Sequence, residues 1–269
     1  MSAAVAPPSS APPGGTRPTR ARRADAVRDT GVVRRETVRT ENWSLTGLAK
    51  VQGNVEVGTG DSNGSLSVAG RLTADAFRAR GTTEVVGPID VRSTLTLNGT
   101  AQLGAGGHAG NLEARGTLRS GGPVRVDRAL IAHGVVEAPS ISAGLFDLTG
   151  SVLVPGELLA LGVVRARFRG DSRIGTVRAQ RVALDGPPTA LIPTLWRSVF
   201  GGAADVRVDR VEADSVELSA VDVGFVRARE IVLGAGAHVT TVEGTIVRRH
   251  RTSRVGPESR TPAPHGLFR

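Results

Sequence analysis

Cysteine is absent from the 269 residues, which excludes disulfides and thiolate metal sites and fits a reducing compartment. Tyrosine is absent too, and two tryptophans and six phenylalanines are the whole aromatic complement. Small-molecule pockets and base-stacking platforms draw heavily on aromatic side chains, so neither is expected. No stretch approaches the ~18 consecutive apolar residues of a membrane span, and the start of the chain has no apolar signal core. The expectation is a cytoplasmic protein, at most peripheral at the inner face of the cell membrane.

Metal and phosphate motifs are missing as well. There is no His-x-x-x-His, no Asp-x-Asp-x-Asp-Gly loop and no Gly-Gly-x-Gly-x-Asp repeat, and the runs GTGDSNGS and GAGGHAGN lack a following Lys-Ser/Thr. They read as corner turns, with GDSNG as a surface loop. No catalytic residue, cofactor or metal is assigned.

What the chain does have is a beat. Gly81, Gly99, Gly116, Gly134 and Gly150 recur at steps of 18, 17, 18 and 16 along the chain, each four places after the first member of an apolar pair. The pairs are Phe77/Ala79, Leu95/Leu97, Leu112/Ala114, Leu130/Ala132 and Phe146/Leu148. Two further pairs fall between consecutive ones, for example Ile89/Val91, Ala101/Leu103, Val124/Val126 and Val136/Ala138. Weak beats fall at Thr83/Val85, Gly107/Ala109 and Leu118/Ser120. Residues i and i+2 of a strand share a face, and a glycine after the pair permits a corner at positive φ. Three short strands then make one coil of about 17–18 residues, and stacked coils make an all-β solenoid, or β-helix.

The body from Leu45 to Val247 is neutral, with 20 basic and 20 acidic residues, so the net charge of +9 belongs to the ends. Residues 1–44 hold 8 Arg against 4 acids, and 248–269 hold 6 Arg against 1. The Pro/Arg-rich segment 1–42 and the basic segment 248–269 are expected as disordered arms. Such arms attract an anionic membrane surface or nucleic acid through counterion release, or stay solvated with no ligand. The first part of the solenoid is placed at 43–186 and the second at 205–247. Between them, 187–204 is an apolar insertion. There Leu191, Leu195 and Val199, with Ile192, Trp196 and Phe200, fall at i, i+4 spacing, as in a short helix. Leu195, Trp196, Val199 and Phe200 are its candidate docking patch. After it the beat tightens to every fifth position (Val206/Val208, Val211/Ala213, Val216/Leu218, Val221/Val223, Val226/Ala228, Ile231/Leu233), with a four-sided pentapeptide coil as the alternative for this half.

The stretch VDRVEADSVELSAVDVGFVRAREIVLGAGAHVTTVEGT, with the earlier ISAGLFDLTGSVLVPGELLALGVVRARFRGDSRIGTVRAQRVALDG, resembles the bactofilins, polymer-forming bacterial cytoskeletal proteins, and especially their longer two-part Gram-positive members. The likeness covers roughly 140 to 247; upstream, the agreement is in periodicity more than in residues. The resemblance implies a right-handed, three-sided β-helix that polymerises end to end, without nucleotide, into filaments or sheets scaffolding other proteins at the inner membrane. The partner is then the chain itself, with unnamed client proteins. Many members carry an apolar N-terminal anchoring segment, which this sequence lacks.

Solenoid ends are open strand edges, and an edge without charge or proline invites another copy. AGAHVTTVEGTIV (235–247) has one acid and no proline, so Val239, Val242 and Ile246 are the expected polymerisation contacts, with Trp43 and Leu45 at the other end. The enzymatic rival is a left-handed β-helix of hexapeptide acyltransferases, since IVLGAGAHV resembles one of their repeats and contains His238. That reaction needs a histidine base between coils of adjacent subunits. His250 and His265 lie in the arms, and His108 and His133 have no carboxylate near them in sequence. Asp205, Asp209, Glu212, Asp214 and Glu217 cluster, but they alternate with Arg207 and Arg210 and read as a self-paired strand face. The sequence is therefore read as non-enzymatic.

Overall fold

The computed structural model describes residues 24–187 and 205–256. Among them all regular structure is β, in one 14-stranded sheet wound in chain order, with every pairing parallel. The strands are β1 (Ala24–Arg35), β2 (Val38–Val51), β3 (Val55–Val68), β4 (Leu72–Val85), β5 (Ile89–Leu103), β6 (Gly107–Ser120), β7 (Val124–Glu137), β8 (Ile141–Ala160), β9 (Val163–Phe168), β10 (Ser172–Asp185), β11 (Val206–Ser219), β12 (Asp222–Leu233), β13 (His238–Arg249) and β14 (Arg254–Val255).

One coil shows why they wind. In β4 the buried positions come as three pairs, Leu72/Ala74, Phe77/Ala79 and Thr83/Val85, with bends between them. Each pair is one side of a triangle, here called the first, second and third face. Leu72 lies over Ile89, Phe77 over Leu95 and Val85 over Leu103, so each inward side chain meets an inward side chain one coil further along the chain. The result is a long, thin core of Val, Leu, Ala and Ile. Past the insertion the coil shortens: Val211 pairs with Val226 and Val216 with Ile231, still with three inward pairs per coil. The four-sided alternative is thus overturned, because sides shortened to this beat can also close a triangle.

Gly81, Gly99, Gly116, Gly134 and Gly150 stand directly over one another at the corner between the second and third faces, with φ between +108° and +149°. Gly47 and Gly64 extend the column upward. A Cβ on Gly116 would collide with the carbonyl oxygen of Gly99 in the coil above, so this column needs the bare backbone on two counts. The insertion leaves at this same corner. Ser172 pairs with Val206 and Asp185 with Ser219, 34 positions on, so the ladder resumes in register. Residues 188–204, and with them the expected helix and docking patch, lie outside the described residues, as do 1–23 and 257–269 of the expected arms.

The arm boundaries need correction. The solenoid begins at Ala24, not at 43, and β13 and β14 carry it to Val255 rather than 247. The first coil escapes an apolar-pair reading because its inward positions are partly polar. Asp29 is 5% exposed and takes hydrogen bonds from Arg35 Nη2 at 2.6 Å and from the Trp43 indole Nε1 at 3.0 Å. The Arg35 guanidinium, assisted by Trp43, holds the Asp29 carboxyl below its usual range against the opposing effect of burial. GDSNG is also not a loop: Gly60 and Ser62 take inward positions on β3, and the Phe77 ring fills the room a side chain at Gly60 would need.

Replacing Gly116 by Ala combines positive-φ strain with a backbone clash and should lower stability by about 2–4 kcal/mol. Gly31, the same corner on the outermost coil, has φ +80° and nothing within 4 Å of a Cβ, so Gly31→Ala should lose only the strain, about 1 kcal/mol. Thermal melts of the two variants distinguish these; equal losses would show that the clash relaxes.

Candidate functional sites: a lateral groove and two open ends

An open groove of about 790 Å³ runs along the coils where the third face turns into the first. Arg71, Pro88, Pro123, Arg125, Ser140 and Glu157 line it, and His108 stands at its centre. Sequence neighbours give His108 no carboxylate, but neighbouring coils do. Its Nδ1 is 3.1 Å from Asp90 Oδ1 on β5, and its Nε2 is 3.0 Å from Asp127 Oδ1 on β7. A partner one whole coil away is invisible to a local scan and follows only from the coil length. The hydrogen bonds to Asp127 and then Asp90 raise the His108 pKa. The ring bridges three coils, and in its protonated form it donates to a carboxylate at each nitrogen. Because the two carboxylates sit on opposite ring nitrogens, they do not converge on one point, and among the described residues no group of three ligating side chains forms a metal site.

The acidic cluster after the insertion is self-paired in the main. Asp205 meets Arg207 at 2.7 Å, Asp214 meets Arg229 at 3.0 Å, and Glu217 lies 3.9 Å from Arg248. Glu212 holds both Arg210, at 2.7 Å, and Arg178, at 2.9 Å; Arg178 in turn reaches Glu157 at 2.8 Å across the coil above. Arg178, then Arg210, keeps the Glu212 carboxyl below its usual range. Carboxylates held this way are poor proton donors or nucleophiles at neutral pH. His238 begins β13 under Arg254, with its Nδ1 3.6 Å from Asp222 and its Nε2 buried without a partner. An enclosed nitrogen of this kind is not presented to an acceptor. His133, next to Gly134, is exposed.

The ends differ from expectation. Trp43 and Leu45 are 2% and 1% exposed, because β1 covers them; they are core, not edge. Val239 is likewise fully buried, under Val255 of β14. Val242 is half-buried against the core, and Ile246 and Val247 are 36% and 63% exposed. β14 pairs only with His238 and Val239, so from Thr240 to Arg249 the outer edge of β13 has no partner strand among the described residues. At the other end, among the described residues, β1 pairs only with β2.

Replacing His108 by Gln tests the bridge. A histidine pKa raised by folding contributes stability in full below its ordinary value of 6.5 and loses it as pH climbs through the folded value. The side chain is 39% exposed, so solvent screening limits the contribution to about 1 kcal/mol or less. The parent should therefore melt up to a few degrees above His108→Gln at pH 5.5, with the gap closing by pH 8.5. A gap independent of pH would show that the ring acts by packing alone.

Comparison of the chain with protein-family models, with curated proteins and with solved structures finds no match in any of the three.

Proposed function

We propose that this chain is a non-enzymatic structural protein that assembles end to end, without nucleotide, into filaments that scaffold other proteins, as in the bactofilins its second half resembles. The observation that carries the reading is the pair of strand edges without a partner among the described residues, β1 at one end and Thr240–Arg249 of β13 at the other. A parallel ladder stops at these edges with backbone N–H and C=O groups unpaired, and another copy supplies the missing strand with the same hydrogen-bond geometry as any internal coil. The lateral faces give a second line of support, since several of their charges pair between coils, as Arg92 does with Asp75 and Arg178 with Glu157 and Glu212.

The acyltransferase alternative gains nothing from the histidines. His108 is held at both nitrogens and His238 is enclosed. The scaffold reading asks of the protein only a stiff body and joinable ends.

Electron microscopy and sedimentation of the purified chain without nucleotide test the proposal. The parent should pellet as filaments, and Ile246→Arg should stay in the supernatant with an unchanged β signal in circular dichroism. Ile246 is on the outermost coil and already part-exposed, so a charge there is tolerated by the fold but would be buried unpaired in a joint, at a cost of several kcal/mol. A parent that remains a single 27.8 kDa species at all concentrations, or a variant that pellets like it, refutes end-to-end assembly.

A further inference from the structure

The register of the terminal coils says more about the joint. This inference rests on end-to-end assembly as read above. The first described coil presents the second face as Val27 and Asp29 and the third as Val33 and Arg35. The last presents the second face as Ile246 and Arg249 and the third as Ser253 and Val255. The final coil therefore stops at the same phase of the triangle at which the first one starts anew. Laying the N-terminal coil of one copy on the C-terminal coil of another adds one complete turn, with no side left over and none doubled.

The inward columns also match in chemistry. Followed through the ladder, the column that begins at Val27 and runs through Trp43, Gly60 and Phe77 ends at Ile246. The column that begins at Asp29 and runs through Leu45, Ser62 and Ala79 ends at Arg249, in register with Leu233. Every described coil between those two places an apolar or small residue in this column, so the only charges in it are an acid at one end and a base at the other. Within one molecule Asp29 is satisfied by Arg35 and Trp43, while among the described residues Arg249 has only the Ser253 carbonyl oxygen, 3.2 Å from its Nη2. Inward charges protect an edge against indiscriminate pairing, and opposite inward charges at the two ends permit one pairing above the others.

We infer that copies join head to tail, with the β1 edge of one laid parallel on the β13 edge of the next, Val27 over Ile246 and Asp29 over Arg249. Two like ends brought together would carry only Asp29 or only Arg249 into the joint, and neither would meet its opposite charge. The head-to-tail joint gives Arg249 a carboxylate partner and continues the core column. Its adverse contacts are two outward like-charge pairs, Arg28 beside Arg248, whose guanidinium leans back toward Glu217, and Arg34 beside Arg254.

Because the chain has no cysteine, the register can be read by disulfide trapping. Arg28 and Arg248 belong to the outward column next to the charged one, and Arg28 is exposed. Strands paired in register lie about 4.8 Å apart, within the Cα separation that a disulfide spans. Full-length Arg28→Cys and Arg248→Cys, each confirmed by microscopy to form filaments, are mixed and oxidised. The expected product is the mixed dimer, in at least tenfold excess over either homodimer, and a chain carrying both substitutions should give a ladder of multimers. Homodimers of one variant would overturn the head-to-tail joint in favour of like ends. Filaments that yield no crosslink would overturn the register. Absence of filaments from the parent would instead refute end-to-end assembly itself, and this joint with it.

Discussion

Every feature of this molecule depends on one constraint: each coil must return to its starting phase so that its backbone bonds to the coil beneath and its inward side chains fall on inward side chains. A parallel ladder transmits errors, since a slip by a single position turns the core face outward. The chain meets the constraint with three inward pairs per turn, and it absorbs differences in coil length at the corners. Turns before the insertion, such as that from Leu72 to Ile89, are longer than those after it, such as that from Val211 to Val226, yet both bury the same kind of column.

The corners thus have the strictest chemistry and the faces the loosest. At the second corner, where one coil's backbone passes against the next, glycine is needed at coil after coil. On the faces, outward positions accept Arg, Asp, Thr or Ile, and some of the charges find partners one coil away. Arg178 between Glu157 and Glu212, and His108 between Asp90 and Asp127, are two instances of the same geometry, with partners separated by a coil length rather than by a helical turn.

Most of the architecture is legible in the sequence because the constraint writes itself as a period. The pairs from Leu66/Val68 to Val164/Ala166 and the tighter beat after the insertion mark inward positions, with Ala213 only partly buried. Two things escape. The first coil is unreadable because Asp29 and Arg35 stand at inward register positions normally held by Val or Leu, and a buried carboxylate paired with a part-exposed arginine leaves no apolar beat. The His108 bridge is unreadable because its carboxylates are distant in sequence; once the coil length is known, scanning one coil to either side finds both. Trp43 resembles an edge residue only when the coil above it is taken for an arm.

The resumption of the ladder after the insertion has a further implication. Since Asp185 and Ser219 pair as though everything between them were a single turn, the chain can lengthen at this corner without moving any coil below it. Axial position is set by how many turns have been completed, and each turn advances the rod by about one strand spacing. Sequence added at a corner changes what the rod displays at a given height and leaves the height itself unaltered. The body behaves as a ruler whose graduations are fixed by backbone pairing and whose markings can be edited one at a time.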